Sequence, residues 1–130
     1  MAHLIKWDNK QKTVLLQQYH EGASKDDLYE LAHKNSEMLT TVSHTVHLII
    51  DERKIHLMLT RDDMLFLENL LPENQGRVVI VPPVGSITYK KMLQKVAESK
   101  APRAFHEPFF AYNLDDARDI LQDVVGVMYP

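Results

Sequence analysis

The stretch from Thr45 to Asp51 constrains this chain more than any other. Val46, Leu48, Ile49 and Ile50 make it almost continuously apolar, and an acid ends it. A strand that is apolar on both sides needs cover on both faces of its sheet, which points to helices above and below. Thr60, Asp62 and Asp63 then open a helix, since a hydroxyl caps free amides and acids suit the positive helix end. Met64, Leu65, Leu67, Leu70 and Leu71 give that helix an apolar side, and Pro72 stops it. Residues 52–59 read two ways: Ile55, Leu57 and Leu59 alternate as a strand would, yet they fit an ordered loop equally well.

The same strand-then-helix rhythm continues along the chain. Leu4, Ile5 and Trp7, a polar turn at Asp8 to Gln11, and an extended run from Lys12 to Tyr19 predict an antiparallel hairpin. Ser24, with Asp27 three residues on, opens a helix carrying Leu28, Leu31, Ala32, Met38 and Leu39. Arg77 to Val81 reads as a fourth strand, and Gly85 and Ser86 lead into a helix with Tyr89, Met92, Leu93, Val96 and Ala97. A short fifth strand near Pro108 to Tyr112 precedes Asn113, the cap of a helix running to Val125. The order β-β-α-β-α-β-α-β-α predicts an α/β fold: a mixed sheet of about five strands with about four helices. At 130 residues the chain is read as one domain, residues 1–130.

Composition removes several classes of function. The absence of cysteine excludes disulfides, thiolate metal sites and cysteine nucleophiles. A net charge of −3 argues against general nucleic-acid binding. No segment approaches the roughly 20 apolar residues of a bilayer span, so no stable membrane insertion is expected. Residues 1–7 lack the apolar core of a signal peptide, and the expected location is cytoplasmic.

The element order, the opening hairpin, the strand ending in Asp51 and the helix opened by Asn113, Leu114, Asp115, Asp116 and Ala117 together resemble the SpoIIAA-like, or STAS, family. The resemblance spans nearly the whole chain and rests on pattern. It implies an anti-sigma-factor-antagonist type of regulatory contact, and relatives of the same architecture include a lipid-associated branch. In typical members a serine at the start of the helix after the third strand is phosphorylated by a partner kinase. The matching region here is Leu59, Thr60, Arg61 and Asp62, which lacks the Asp-Ser-Ser-Gly type of sequence. Thr60 is the hydroxyl residue placed to act as phosphoacceptor, although Asp62 and Asp63 would repel a phosphate and a capping role is simpler.

Other candidates are weighed on their residues. Asp51 ends a central strand, where ligands of open α/β sheets tend to bind, and accepting hydrogen bonds from loop amides is its simpler role. Phe66 falls off the apolar stripe of its helix and reads as an exposed contact residue, and Arg61 belongs with it to the surface around the 52–68 loop and helix. Seven histidines are present, but His44 and His47 have a spacing that separates them on a strand, and no metal or other cofactor is expected. Neither a glycine-rich phosphate loop nor a Gly-x-Ser-x-Gly elbow occurs, so no catalytic residue is assigned. Residues 86–105 carry five cations against Glu98 alone, a balance of +4, whereas residues 106–130 carry five acids against Arg118, a balance of −4. The third helix therefore reads as a solvated face, or as a contact for a membrane surface or an acidic partner. Met38, Met58, Met64, Met92, Phe66 and Tyr89 read as core or as the lining of an apolar ligand cavity. Val127 to Pro130 reads as a second apolar group, at a terminus that is otherwise free to fray.

The expected function is a non-enzymatic regulatory protein–protein interaction module. Its contact surface would include Asp51, Arg61 and Phe66, its partner would be another protein, and a homodimer is one form of that contact. The alternative is a carrier or sensor of a small apolar or lipid-like ligand.

Overall fold

Asn9 sets up the first turn: its side-chain oxygen accepts from the backbone amides of Thr13 and Val14, at 3.0 and 3.2 Å. That arrangement folds β1 (His3–Trp7) antiparallel onto β2 (Val14–Tyr19). The second strand starts two residues later than the sequence pattern implies, because Lys12 takes the left-handed conformation, with φ 56°, to complete the turn. The computed structural model describes residues 2–130. From β2 the chain runs through α1 (Lys25–Leu39), β3 (Val46–Asp51), α2 (Arg61–Leu70), β4 (Gln75–Val81), α3 (Ile87–Lys100), β5 (Phe109–Phe110) and α4 (Leu114–Ile120). The result is the mixed α/β architecture expected: five strands in the order β1-β2-β3-β4-β5, with β2 to β5 mutually parallel.

The apolar run of β3 is explained by its central place. Its alternating side chains feed two cores, as the pleat requires. Ile49 joins Val14, Leu16, Val79, Val81 and Ala111 on one face, under Ala117 of α4 and Leu121. On the other face Val46 packs with Leu15 and Leu39, while Ile50 lies against the cluster of Tyr19, Leu28, Leu31 and Ile55. Helices α1, α2 and α3 all cover this second face. Residues 52–59 settle as a loop between β3 and α2, with Ile55 buried.

The last helix is shorter than its sequence pattern. It passes at Leu121 into one wider π-type turn (Leu121–Val125), which Gly126 ends at φ 87°, a conformation that suits glycine. The segment beyond it is pinned rather than frayed. The Asp8 carboxylate accepts from Arg118 Nε at 3.0 Å and from one terminal guanidinium nitrogen at 2.9 Å, and from the Tyr129 hydroxyl at 2.6 Å. Asn9 also donates to the carbonyl of Met128.

One irregularity in the sheet has a specific cause. Between the pairs Val46–Gln75 and Leu48–Val78, His47 stands opposite two residues, Gly76 and Arg77. The Arg77 amide, displaced from the ladder by this bulge, donates to His47 Nδ1 at 2.9 Å. A Cβ on Gly76 would lie 2.5 Å from the same nitrogen. Gly76→Ala is therefore expected to destabilise the fold by about 1–3 kcal/mol, read as a lower urea midpoint with an unchanged slope. An unchanged midpoint would show that the imidazole is not fixed in the bulge.

Candidate functional site

Helix α3 turns toward the sheet with unusual residues. Its buried positions are Gln94 and Ala97, with Ala101 buried just beyond its end, so one polar and two small side chains occupy the place where large apolar ones usually sit. The space they leave is a cavity of about 270 Å³ between α3, the loop 52–59 and the sheet. Ile55, Leu57, Leu59, Met64, Leu93 and Phe105 supply much of its apolar wall. A second cavity of about 140 Å³ adjoins it toward α1 and α2, and Tyr19, Leu28, Glu52 and Leu59 line both.

Polar groups occur at two places along this space. Glu52, Lys90 and Tyr19 all line the larger cavity, and the Glu52 carboxylate pairs with Lys90 Nζ at 3.1 Å. Burial, and then the negative charges of Glu52 and Asp27, push the Tyr19 hydroxyl far above its ordinary pKa, so it stays a neutral donor. The smaller cavity is lined by Gln17, Asn35 and Gln75, whose side chains form a chain of hydrogen bonds at 3.1 Å each. In this chain Gln17 Nε2 donates to Asn35 Oδ1 and Asn35 Nδ2 donates to Gln75 Oε1, so Asn35 is engaged at both ends of its amide.

The sequence-predicted site residues do not gather at one place. Asp51 is 4% exposed, and its side chain lies on the α4 side of the sheet with Gln18. It accepts from Gln18, from the Arg53 amide and from two nitrogens of the Arg53 guanidinium. Burial alone would raise its pKa, but these bonds outweigh burial and hold it below the ordinary range. Asp51 thus locks the end of β3 and is not open to a partner. Phe66 is half-buried rather than exposed. Its ring packs edge-on against Tyr29 and His33 of α1, with centroids 4.7 and 5.5 Å away, because the off-stripe position faces the neighbouring helix. Only Arg61 of the three is exposed.

Thr60 caps α2. Its hydroxyl accepts from the Asp63 amide at 3.2 Å, and the Asp63 carboxylate accepts in return from the Thr60 amide at 2.8 Å. Asp63 is itself buried and also accepts from Lys25 and Tyr29 of α1, so this capping acid ties the two helices together. His47 serves the bulge and His44 donates to the carbonyl of Lys12 at 2.8 Å. Among the described residues no group of three or more His, Asp or Glu is arranged to hold a metal ion. No helix among them is long and apolar enough to cross a membrane.

Sequence reasoning missed Tyr19, Glu52 and Lys90 as a group, because they come from β2, a loop and α3 and share no spacing. The polar row of Gln17, Asn35 and Gln75 carried a weak signal: amides at inward positions of otherwise apolar strands and of a helix. Comparison with family models, curated proteins and solved structures returns no match.

A further buried pair supports the hairpin beneath α1. The Asp27 carboxylate accepts from His3 Nδ1 at 2.6 Å and from the amides of Ala2 and Ser24. The His3 bond first, and then the Ser24 amide, lower its pKa from 3.8 to about 2. The unfolded chain therefore takes up this proton at higher pH than the folded one. The stabilisation is complete above about pH 4 and is lost as the pH falls through about 2. The difference in urea midpoint between the wild type and Asp27→Asn should stay constant from about pH 7 to 5 and shrink toward pH 2. A difference that does not change with pH would mean that the carboxylate charge is not what Asp27 contributes.

Proposed function

We propose that the protein is a non-enzymatic binding module that carries or senses a small, lipid-like ligand with an apolar body and one polar end. The observation that carries this reading is the 270 Å³ cavity under α3, with an apolar wall and the Glu52–Lys90 pair and Tyr19 at one part of its lining. Cavities that enclose small molecules combine mostly apolar walls with a few placed polar groups, and this one does so. The methionines Met58 and Met64 suit a ligand of irregular shape, since their unbranched side chains adapt to it. The resemblance to SpoIIAA-like proteins, which include a lipid-associated branch, is compatible with such a ligand. The regulatory-contact reading draws on the same resemblance. It has less physical support here, because Asp51 and Phe66 are engaged within the fold on opposite sides of the sheet.

Native mass spectrometry of gently purified protein should reveal a bound small molecule, and the emptied protein should take up Nile red. Leu59→Trp places a larger ring among the residues lining both cavities. It should weaken dye binding on the order of tenfold, equivalent to losing a Leu-sized contact, while the folded circular-dichroism spectrum is kept. The proposal fails if the wild type takes up neither ligand nor dye, or if Leu59→Trp leaves dye affinity unchanged.

A further inference from the structure

Helix α3 is oriented with its apolar stripe outward. Tyr89, Met92, Leu93 and Val96 recur at spacings of three and four residues and share one side of the helix. On that side Met92 is 65% exposed, Val96 57% and Tyr89 51%. Met58, in the loop beside it, is 68% exposed and lines the same cavity as Leu93 and Val96. Large apolar side chains concentrated in this way are uncommon on a surface that meets only water.

The charges around the stripe are positive. Lys100 lies one turn beyond Val96 on the same side, Lys95 flanks the stripe, and Lys90 lies on its other flank, where it is paired with Glu52. Residues 86–105 hold five cations against one acid. A helix with an exposed apolar stripe bordered by lysines matches a helix that lies in the headgroup layer of a bilayer, its apolar side chains inserted and its ammonium groups against anionic lipids.

We propose that α3 is a docking surface for an anionic lipid bilayer, lying flat on it through Tyr89, Met92, Leu93 and Val96. Charge complementarity selects this occupant, since a neutral apolar partner would leave the lysines without counter-charge. A second copy of this chain is the rival occupant, because residues 106–130 carry a balance of −4 that α3 could meet head to tail. The docking does not depend on the cavity being occupied. It does place the cavity-lining residues Met58, Leu93 and Val96 against the bilayer, where an apolar molecule would pass between protein and membrane without crossing water.

The test is co-flotation with vesicles of phosphatidylcholine alone and of phosphatidylcholine mixed with phosphatidylglycerol. The wild type should float with the mixed vesicles and should be released by added salt. Lys95→Gln and Lys100→Gln should each weaken this binding about fivefold. Met92→Asp combined with Tyr89→Asp should abolish it, and because both side chains are exposed and neither lines the cavity the thermal midpoint should not move. Failure to float with either vesicle, or equal binding to both, overturns the proposal. Self-association in analytical ultracentrifugation that disappears in Met92→Asp/Tyr89→Asp also overturns it, by assigning the face to a second copy. Dye uptake in solution reads the cavity separately, so the two proposals fail independently.

Discussion

Crossover handedness governs this molecule. The strands are laid down in sequence order, β1 to β5, and the last four are parallel, so each crossover advances across the sheet in the same direction. Right-handed crossovers that all advance one way place their helices on one face. Helices α1, α2 and α3 do share a face, and α4 with the segment after it is left to close the other. Both cavities lie on the three-helix side. There α1 and α2 bring Leu28, Leu31 and Leu67 to the sheet, while α3 brings Gln94 and Ala97.

What the sequence made legible follows from this frame. The β3 pattern announced a central strand, because only a strand covered on both faces can carry Val46, Leu48, Ile49 and Ile50 in near succession. The Thr60 cap was equally readable, since capping is local chemistry within four residues. Phe66 was misjudged because a helical wheel shows which residues differ from the main stripe but not which neighbour lies beside them; the second neighbour here is α1. Asp51 was correctly placed at a strand end, yet its satisfaction by Arg53 and Gln18 depends on a loop conformation and a strand register that no spacing encodes. The cavity was legible only as a class of residue, adaptable methionines among aromatics. Its existence depends on which side of α3 turns inward.

Several acids serve as struts between elements rather than as chemistry. Asp63 joins α2 to Lys25 and Tyr29 of α1, Asp27 joins α1 to His3 of β1, and Asp8 joins the first turn to Arg118 and Tyr129. Each accepts several hydrogen bonds, which is the condition under which a buried carboxylate is tolerated. In Asp63 the bonds from Lys25, Tyr29 and Thr60 outweigh the opposing effect of burial, and its pKa falls below the ordinary range. The Asp63 and Asp27 struts frame the three-helix face at α1 and α2, while Asp8 fastens α4 and the C-terminal segment on the other face. Helix α3 is held by the Glu52–Lys90 pair and by Gln94 donating to the carbonyl of Phe105.

The rotational phase of α3 then links the interior of the protein to its surface. Burying a side chain the size of Met or Val stabilises a fold by roughly 1.5–3 kcal/mol, a substantial part of a typical total of about 5–15 kcal/mol. A sequence selected for stability alone would turn Met92 and Val96 inward, where there is a cavity to fill, and would leave Gln94 and Lys90 outside. This chain does the reverse, and local preference conflicts with global packing in that one helix. Such conflicts concentrate where a protein is shaped for a purpose other than folding. One choice of phase both opens the space beneath α3 and loads its outer face with apolar groups, so the cavity and the exposed stripe have the same structural origin.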